Sequence, residues 1–284
     1  MKGSSCLFII LLLISLVIVG IILSFYILSN QFIVNYKKTI AQHCENEKVE
    51  WNKTFIPFTT KYQPENAAML NELCYNVTRM NCPDMKWNKP SQFDITTPIT
   101  GISPNNNSRN LYGYALSSKS LDVNIIAFTG TFSIDEWESD FDFKQVVLGN
   151  GKVHRGFNSI YTNVKDAIRK FIQKNPKKML IVTGHSLGGA LAVLGSYDLA
   201  DLDADVVMYS FASPRVGNNE FVNNFNSKVK HKYRVYNTSD IIPTVPFPVM
   251  KGDIYTHVDN GIPFTLNLGS DTRNHIQAYT IFLN

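Results

Sequence analysis

Apolar and polar residues are distributed along this chain in two contrasting ways. From Leu7 to Leu28 there is hardly any alternation. The run is almost wholly Leu, Ile, Val and Phe, carries no charge, and is interrupted only by Ser15, Gly20 and Ser24. A membrane-spanning helix takes about 20 apolar residues, whereas the core of a cleaved leader usually has about 7–15. The run therefore predicts one N-terminal transmembrane helix, with residues 1–34 as the anchor, in preference to a removed signal peptide. From Asn35 to about Pro104 the chain turns polar, punctuated by Trp51, Trp87 and several prolines. Within it, Ala67, Leu70, Asn71 and Cys74 fall on one face of a short helix over 64–74. Residues 90–110, rich in Ser, Thr, Pro and Asn, read as loop.

Past Asn110 a regular rhythm begins. Leu111–Ser117 and Val123–Phe128 have strand character. Phe157–Lys174 places Ile160, Val164, Ile168 and Phe171 at helical spacing with lysines opposite, and Asn175-Pro176 ends it. Met179–Thr183 is a short apolar run of buried-strand type. Leu187–Ala200 is an Ala/Leu-rich helix, and Val206–Phe211 and Tyr233–Tyr236 are strands again. Strands alternating with helices predict an α/β fold, a mainly parallel sheet flanked by helices. The expected organisation is an anchor over 1–34, a polar segment over 35–110 packed on the catalytic domain, and that domain over 111–284.

Composition refines this picture. Hydrophobic residues make up 44% and charged residues 18% of 284 positions, which excludes a multi-span membrane protein and a disordered chain. The net charge of +4 comes from scattered lysines without a basic stripe, so nucleic acid is not an expected partner. Lys2 before the apolar run and Lys37 and Lys38 after it nearly balance, and leave its orientation open. Sequons at Asn52, Asn76, Asn106 and Asn237 permit a lumenal or extracellular domain, secreted if the leader is cleaved. Cys44, Cys74 and Cys82 form no CxxC pair, so structural zinc is not expected. Any two of the three can pair in an oxidising compartment, or all can stay reduced.

The chemistry concentrates where Met179–Thr183 runs into Gly184-His185-Ser186-Leu187-Gly188-Gly189 and a helix. This is G-x-S-x-G in its required setting of strand, sharp turn and helix. The glycines remove side chains that would collide in so tight a turn. The Ser186 hydroxyl is then pushed out of the sheet toward the amide-rich start of the next helix. A serine hydroxyl needs a base, and the base needs an orienting carboxylate, in chain order Ser, Asp or Glu, His. Asp240 follows the strand Tyr233–Tyr236 through a short turn, and so sits at the carboxyl edge of the sheet, where ligands bind in such folds. Asp198–Asp205 lie toward the other edge. Among downstream histidines, His231 starts a strand, and both His257 and His275 satisfy the order.

Other blocks accompany this turn in sequence: Phe128-Thr129-Gly130-Thr131, then Ser133-Ile134 with Trp137 and Asp140, then Val153-His154-Arg155-Gly156-Phe157. After the turn come Phe211-Ala212-Ser213-Pro214-Arg215-Val216-Gly217-Asn218, then Asn237, Asp240, Ile242-Pro243 and Pro246, and last His275 with Tyr279. In this order they resemble the class 3 lipases, the fungal triacylglycerol lipase type of the α/β-hydrolase fold, over about residues 110–284. The resemblance implies Ser186 as nucleophile, Asp240 as orienting acid and His275, rather than His257, as base. It implies oxyanion donors at Thr131 and Leu187, and supporting roles for His154 and His185. It also implies a lid helix within Ile134–Phe141, with Ile134, Trp137 and Phe141 as its apolar face. Asp135, Glu136, Glu138 and Asp140 make that lid unusually acidic, so a modest gain in rate at lipid interfaces is expected. Thr129 stands where the family commonly carries Arg, which bears on how the oxyanion loop is supported. The implied activity is hydrolysis of carboxylic esters of lipids through an acyl-enzyme, without metal or organic cofactor. Its substrate would be a triacylglycerol, monoacylglycerol or phospholipid (phospholipase A1 type), or a non-lipid ester. The implied partners are the lipid ester and, through the N-terminal helix, the bilayer. A catalytically silent binding protein on the same fold is the alternative from a different class.

Overall fold

A computed structural model describes residues 53–104, 107–131, 143–250 and 252–284, together with Val34, Cys44, Lys48, Val49 and Trp51. The chain divides into two units, Met1–Gln42 and His43–Asn284. The apolar run Leu7–Leu28 lies outside the described residues. Among the described residues no helix is long and apolar enough to cross a membrane.

The second unit is built on a seven-stranded sheet. Its strands are β1 (Ile95–Ile102), β2 (Arg109–Ser118), β3 (Val123–Phe128), β4 (Met179–His185), β5 (Asp205–Phe211), β6 (His231–Asn237) and β7 (Gly261–Phe264). Their order across the sheet is their order along the chain. β1, β2 and β3 pair antiparallel, and β3 through β7 pair parallel. The sheet is thus mainly parallel, as the rhythm of the sequence predicts. Its helices are α1 (Pro64–Arg79), α2 (Arg155–Lys174), α3 (Leu187–Leu199), α4 (Asn219–Lys228) and α5 (Asp271–Leu283).

Alternation along the central strands explains how both faces are covered. Successive side chains of a strand point to opposite faces. Ile126, Phe128, Leu180, Val182 and Met208 pack with Ile160, Val164 and Ile168 of α2, with Leu191 and Leu194 of α3, and with Phe221 and Phe225 of α4. The intervening Ile125, Ala127, Ile181, Val207 and Tyr209 pack with Ala67, Leu70 and Leu73 of α1 and with Ala278 and Tyr279 of α5. Strands buried on both faces read as continuous apolar runs, which is why they were legible. The α1 helix ends at Arg79, one turn and more beyond its predicted end.

The boundary drawn at residue 110 falls inside β2, and β1 lies within the stretch read as loop. Thr-Thr-Pro-Ile-Thr-Gly carries loop composition, yet β1 is the edge of the sheet. An edge strand tolerates Pro98, which lacks an N–H, and needs only part of its side chains buried. A bulge between Ile99 and Thr100 interrupts its register. Trp51, Phe55 and Phe58 ahead of α1, and Phe93 after it, join the α1 side of the core, with the Trp51 and Phe55 rings 5.5 Å apart.

Of the three cysteine pairings left open, Cys44 with Cys82 is the one formed, with Cα atoms 5.6 Å apart. Cys74 is buried and unoxidised, and its Sγ lies 3.4 Å from Thr183 Oγ1. Burial among apolar groups pushes its thiol up to about 12. The disulfide closes a loop across 38 positions of sequence and restrains the unfolded chain. Replacing both Cys44 and Cys82 by Ala is expected to lower the unfolding free energy by about 2–4 kcal/mol in urea titration. An unchanged midpoint would show that the bridge does not restrain this chain.

Candidate active site

At the carboxyl edge of the sheet, β4 ends in Gly184 and His185, and the chain reverses into α3 within one residue. That residue is Ser186, with φ 60° and ψ −126°. A side chain in this backbone region costs of order 1–3 kcal/mol and persists only where the surroundings over-determine it. Here they do. Ser186 N–H donates to Phe211 O of β5 at 2.9 Å, and Ser186 O accepts from Gly189 N–H at 2.8 Å. A Cβ on Gly184 would lie 2.0 Å from Gly188 O, and one on Gly188 would lie 2.7 Å from Phe128 O and Thr129 O. The turn therefore closes only with glycine at both positions.

The Ser186 hydroxyl faces a histidine carried by α5. His275 Nε2 lies 2.9 Å from Ser186 Oγ, and its Nδ1 lies 2.9 Å from Asp240 Oδ2. Ser186, Asp240 and His275 are 3%, 1% and 0% exposed, so these bonds are made away from bulk water. Asp240 stands in the turn after β6, where its Oδ1 accepts from Ile242 N–H at 3.0 Å. Tyr279, one helical turn beyond His275, donates its hydroxyl to Asp240 Oδ2 at 2.8 Å. The same hydroxyl accepts from Asn237 N–H at 3.0 Å, which directs its proton at the carboxylate. Burial, then the Asp240 charge, hold the Tyr279 pKa well above its ordinary value, so it remains a donor. Spacing of i and i+4 thus brings two partners from α5 to one carboxylate.

Two asparagines lock the β6 turn to α5. Asn237 Nδ2 donates to Leu266 O at 2.8 Å and Asn274 O at 3.2 Å. Asn274 Nδ2 donates to Ser239 O at 3.1 Å. Asn237 is a sequon position, and so is Asn76; both side chains are buried in the fold. Asn52 and Asn106 lie outside the described residues.

Three other histidines serve other ends. His185 is buried beside His275, with ring centres 4.7 Å apart, and its Nε2 meets His275 O at 2.8 Å. Burial and then the neighbouring His275 push its pKa well below the usual value. It is neutral, donates to that carbonyl, and braces the turn of α5 that carries His275. His154 caps α2, its Nδ1 accepting from Gly156 N–H at 3.1 Å, and its ring stacks on Phe157 at 4.0 Å. His257 Nε2 binds Pro243 O at 2.6 Å, away from Ser186. Burial, then the Arg234 charge, lower its pKa to about 3. Of the two histidines that satisfied chain order, His275 is the one brought to the serine.

Around the hydroxyl, Leu187 is the first residue of α3, so its N–H has no acceptor within the helix. Thr131, in the segment that follows β3, is buried. A Cβ on Gly130 would stand 3.8 Å from Ser186 Cβ, which places this loop against the serine. Thr129 is held by strand β2: its N–H donates to Tyr112 O at 3.0 Å and its Oγ1 to Leu111 O at 3.4 Å. Gly130 N–H donates to Thr78 Oγ1 of α1 at 2.8 Å. The lid positions Ile134, Trp137 and Phe141 lie outside the described residues. Among the described residues no group of His, Cys, Asp and Glu is placed to hold a metal ion.

Sequence reasoning named Tyr279 only as part of a block, and missed Asn237 and Asn274 as braces and Thr78 as a partner of the loop. The i+4 spacing from His275 was an available signal for Tyr279. For Thr78, 52 positions from Gly130, there was none.

Residues 125–250 match the family model described as lipase (class 3). The chain is 30% identical over 188 residues to a secreted mono- and diacylglycerol lipase of Fusarium solani, covering 62% of this chain and 52% of that protein. It is 31% identical over 181 residues to a lipase of Rhizomucor miehei, covering 56% and 50%. The solved propeptide complex of Rhizomucor miehei lipase superposes with a TM-score of 0.56 at 25% identity, over 72% of this chain and 68% of that one. The chain thus spans about half the length of the curated relatives it matches.

The neutral His257 makes a pH prediction. Its folded pKa of about 3 lies below the ordinary 6.5, so the unfolded chain takes up the proton first as pH falls. Its contribution to stability is complete above pH 6.5 and lost on acidification toward pH 3. In His257→Gln the fall in unfolding free energy between pH 6 and 4 should be shallower by about one proton, roughly 1.4 kcal/mol per pH unit. Equal slopes in urea titrations of the two proteins would contradict the assignment.

Proposed function

We propose that the chain, whose residues 125–250 match the class 3 lipase model, is a serine hydrolase of that family cleaving carboxylic esters of acylglycerols. The observation that carries the reading is His275, bonded through one ring nitrogen to Ser186 Oγ and through the other to Asp240 Oδ2, 2.9 Å each. Ser186 Oγ attacks the ester carbonyl as its proton passes to His275 Nε2. Asp240 holds the tautomer with Nδ1–H and stabilises the imidazolium. The amides of Leu187 and Thr131 take the charge that develops on the carbonyl oxygen. His275 returns the proton to the departing alcohol oxygen. Water, deprotonated by the same nitrogen, then splits the acyl-enzyme to a carboxylic acid and free Ser186.

The acylglycerol substrate is supported by the names of the relatives, a mono- and diacylglycerol lipase among them. Phospholipids and non-lipid esters are the competing substrates on this fold. We place the domain outside the cytosol, on the disulfide Cys44–Cys82 and the secreted relative. The uncharged run Leu7–Leu28 holds it at a bilayer in this reading.

A fluorophosphonate probe should label Ser186 in the folded protein, and labelling and turnover should vanish in Ser186→Ala. His275→Ala should reduce kcat by about 10³-fold or more, and Asp240→Asn by about 10³- to 10⁴-fold. Folded protein that neither labels nor hydrolyses any of tri-, di- and monoacylglycerols, phospholipids and short-chain esters would instead be a binding module. Loss of activity in His257→Ala with retention in His275→Ala would overturn the choice of base.

A further inference from the structure

The oxyanion loop runs off the end of β3, and its amides must be placed to a few tenths of an ångström to act on a developing charge. Its first amide, Thr129 N–H, is fastened within the sheet to Tyr112 O at 3.0 Å. The second is fastened from outside the sheet. Gly130 N–H donates to Thr78 Oγ1 at 2.8 Å, and Thr78 Oγ1 in turn donates to Cys74 O at 2.8 Å. A hydroxyl has one proton. With that proton given to Cys74 O, a lone pair of Thr78 faces Gly130. The residue is 8% exposed, so water does not readily replace it.

The helix that supplies this acceptor is itself tied to the other parts of the site. Cys74 Sγ meets Thr183 Oγ1, next to Gly184 at the serine turn, at 3.4 Å. Asn71 Nδ2 reaches Thr280 Oγ1 of α5, the helix of His275, at 3.4 Å. Four residues beyond Thr78, Cys82 is bridged to Cys44. α1 therefore spans the nucleophile turn, the base helix and the oxyanion loop, and Thr78 joins it to that loop.

Resting on the ester-hydrolase reading, we propose that Thr78 is a positioning residue for the oxyanion hole: it fixes the Gly130 peptide plane and so aims the backbone of Thr131 at the substrate carbonyl oxygen. Thr78 touches no substrate atom and acts through the loop alone. The sequon Asn76-Val77-Thr78 then has another meaning, since its hydroxyl belongs to the loop and its Asn76 is buried. Misplacing a reacting geometry by about 1 Å costs up to about 100-fold, and this cost falls on the transition state.

The test is Thr78→Val, which keeps the shape and removes the acceptor, beside Thr78→Ser, which restores it, both in the full chain. With a short-chain nitrophenyl ester, Thr78→Val should lose about 10- to 100-fold in kcat with KM within about twofold. Inactivation by a phosphonate ester should slow in parallel, and the midpoint of the pH profile should stay in place. Thr78→Ser should recover most of the loss. Amide hydrogen exchange at Gly130 gives a readout independent of turnover: protected in the parent and Thr78→Ser, and released in Thr78→Val. Full kcat in folded Thr78→Val, a loss confined to KM, or failure of Thr78→Ser to recover the rate would each overturn the proposal. If Thr78→Val does not fold, the parent and Thr78→Ser decide, and fast Gly130 exchange in either overturns it. If the parent hydrolyses no ester, the functional reading fails by itself, while Gly130 exchange still reports on the clamp.

Discussion

A single residue forced into an unfavourable backbone conformation organises this molecule. Ser186 sits at φ 60° because β4 must end and α3 begin with no linker between them. The surroundings that hold it there are the fold itself. β5 supplies Phe211 O to its N–H, and the end of β3 presses Phe128 O and Thr129 O toward Gly188. Neither Gly184 nor Gly188, two residues to either side of the serine, tolerates a side chain. The buried parallel strands and the two-sided helical cover supply the rigidity that such a turn needs.

Around that turn, the base and the helical side chains that brace the site come from elements on one face of the sheet. Both α1 and α5 pack on the side of Ile125, Ile181 and Val207. From α5 come His275, Asn274 and Tyr279, and from α1 comes Thr78. The opposite face, with α2, α3 and α4, carries an apolar cluster, a histidine used as a helix cap, the contacts of Tyr161 and Arg169 with Asp198, and the Leu187 amide at the start of α3. Burial separates the histidines by function: His185 and His257 are held neutral and spent on backbone carbonyls. Among the described histidines, His275 alone bridges a carboxylate and a hydroxyl.

Much of this was legible from the residues. The serine turn, the parallel strands and the helix over 157–174 each have a local cause: glycines at fixed offsets, apolar runs or helical spacing. Asp240 and His275 required order along the chain plus resemblance, because their meeting depends on tertiary structure. β1 was hidden because an edge strand obeys weaker rules than a central one, and Thr-Thr-Pro-Ile-Thr-Gly satisfies those of a loop as well. β7, with Pro263 within a run of four residues, was hidden for the same reason. The pairing of Cys44 with Cys82 and the bond from Thr78 to Gly130 are contacts between distant segments, and no periodicity encodes them.

The central claim is that Ser186 Oγ attacks a carbonyl whose oxygen is received by the amides of Leu187 and Thr131. A crystal structure of the protein inactivated by an alkyl phosphonate ester tests it directly. The account predicts phosphorus bonded to Ser186 Oγ, with the phosphoryl oxygen about 2.7–3.1 Å from both amide nitrogens and His275 Nε2 on the leaving-group side. Phosphorus on any other residue, or a phosphoryl oxygen turned away from Leu187 and Thr131, would contradict it.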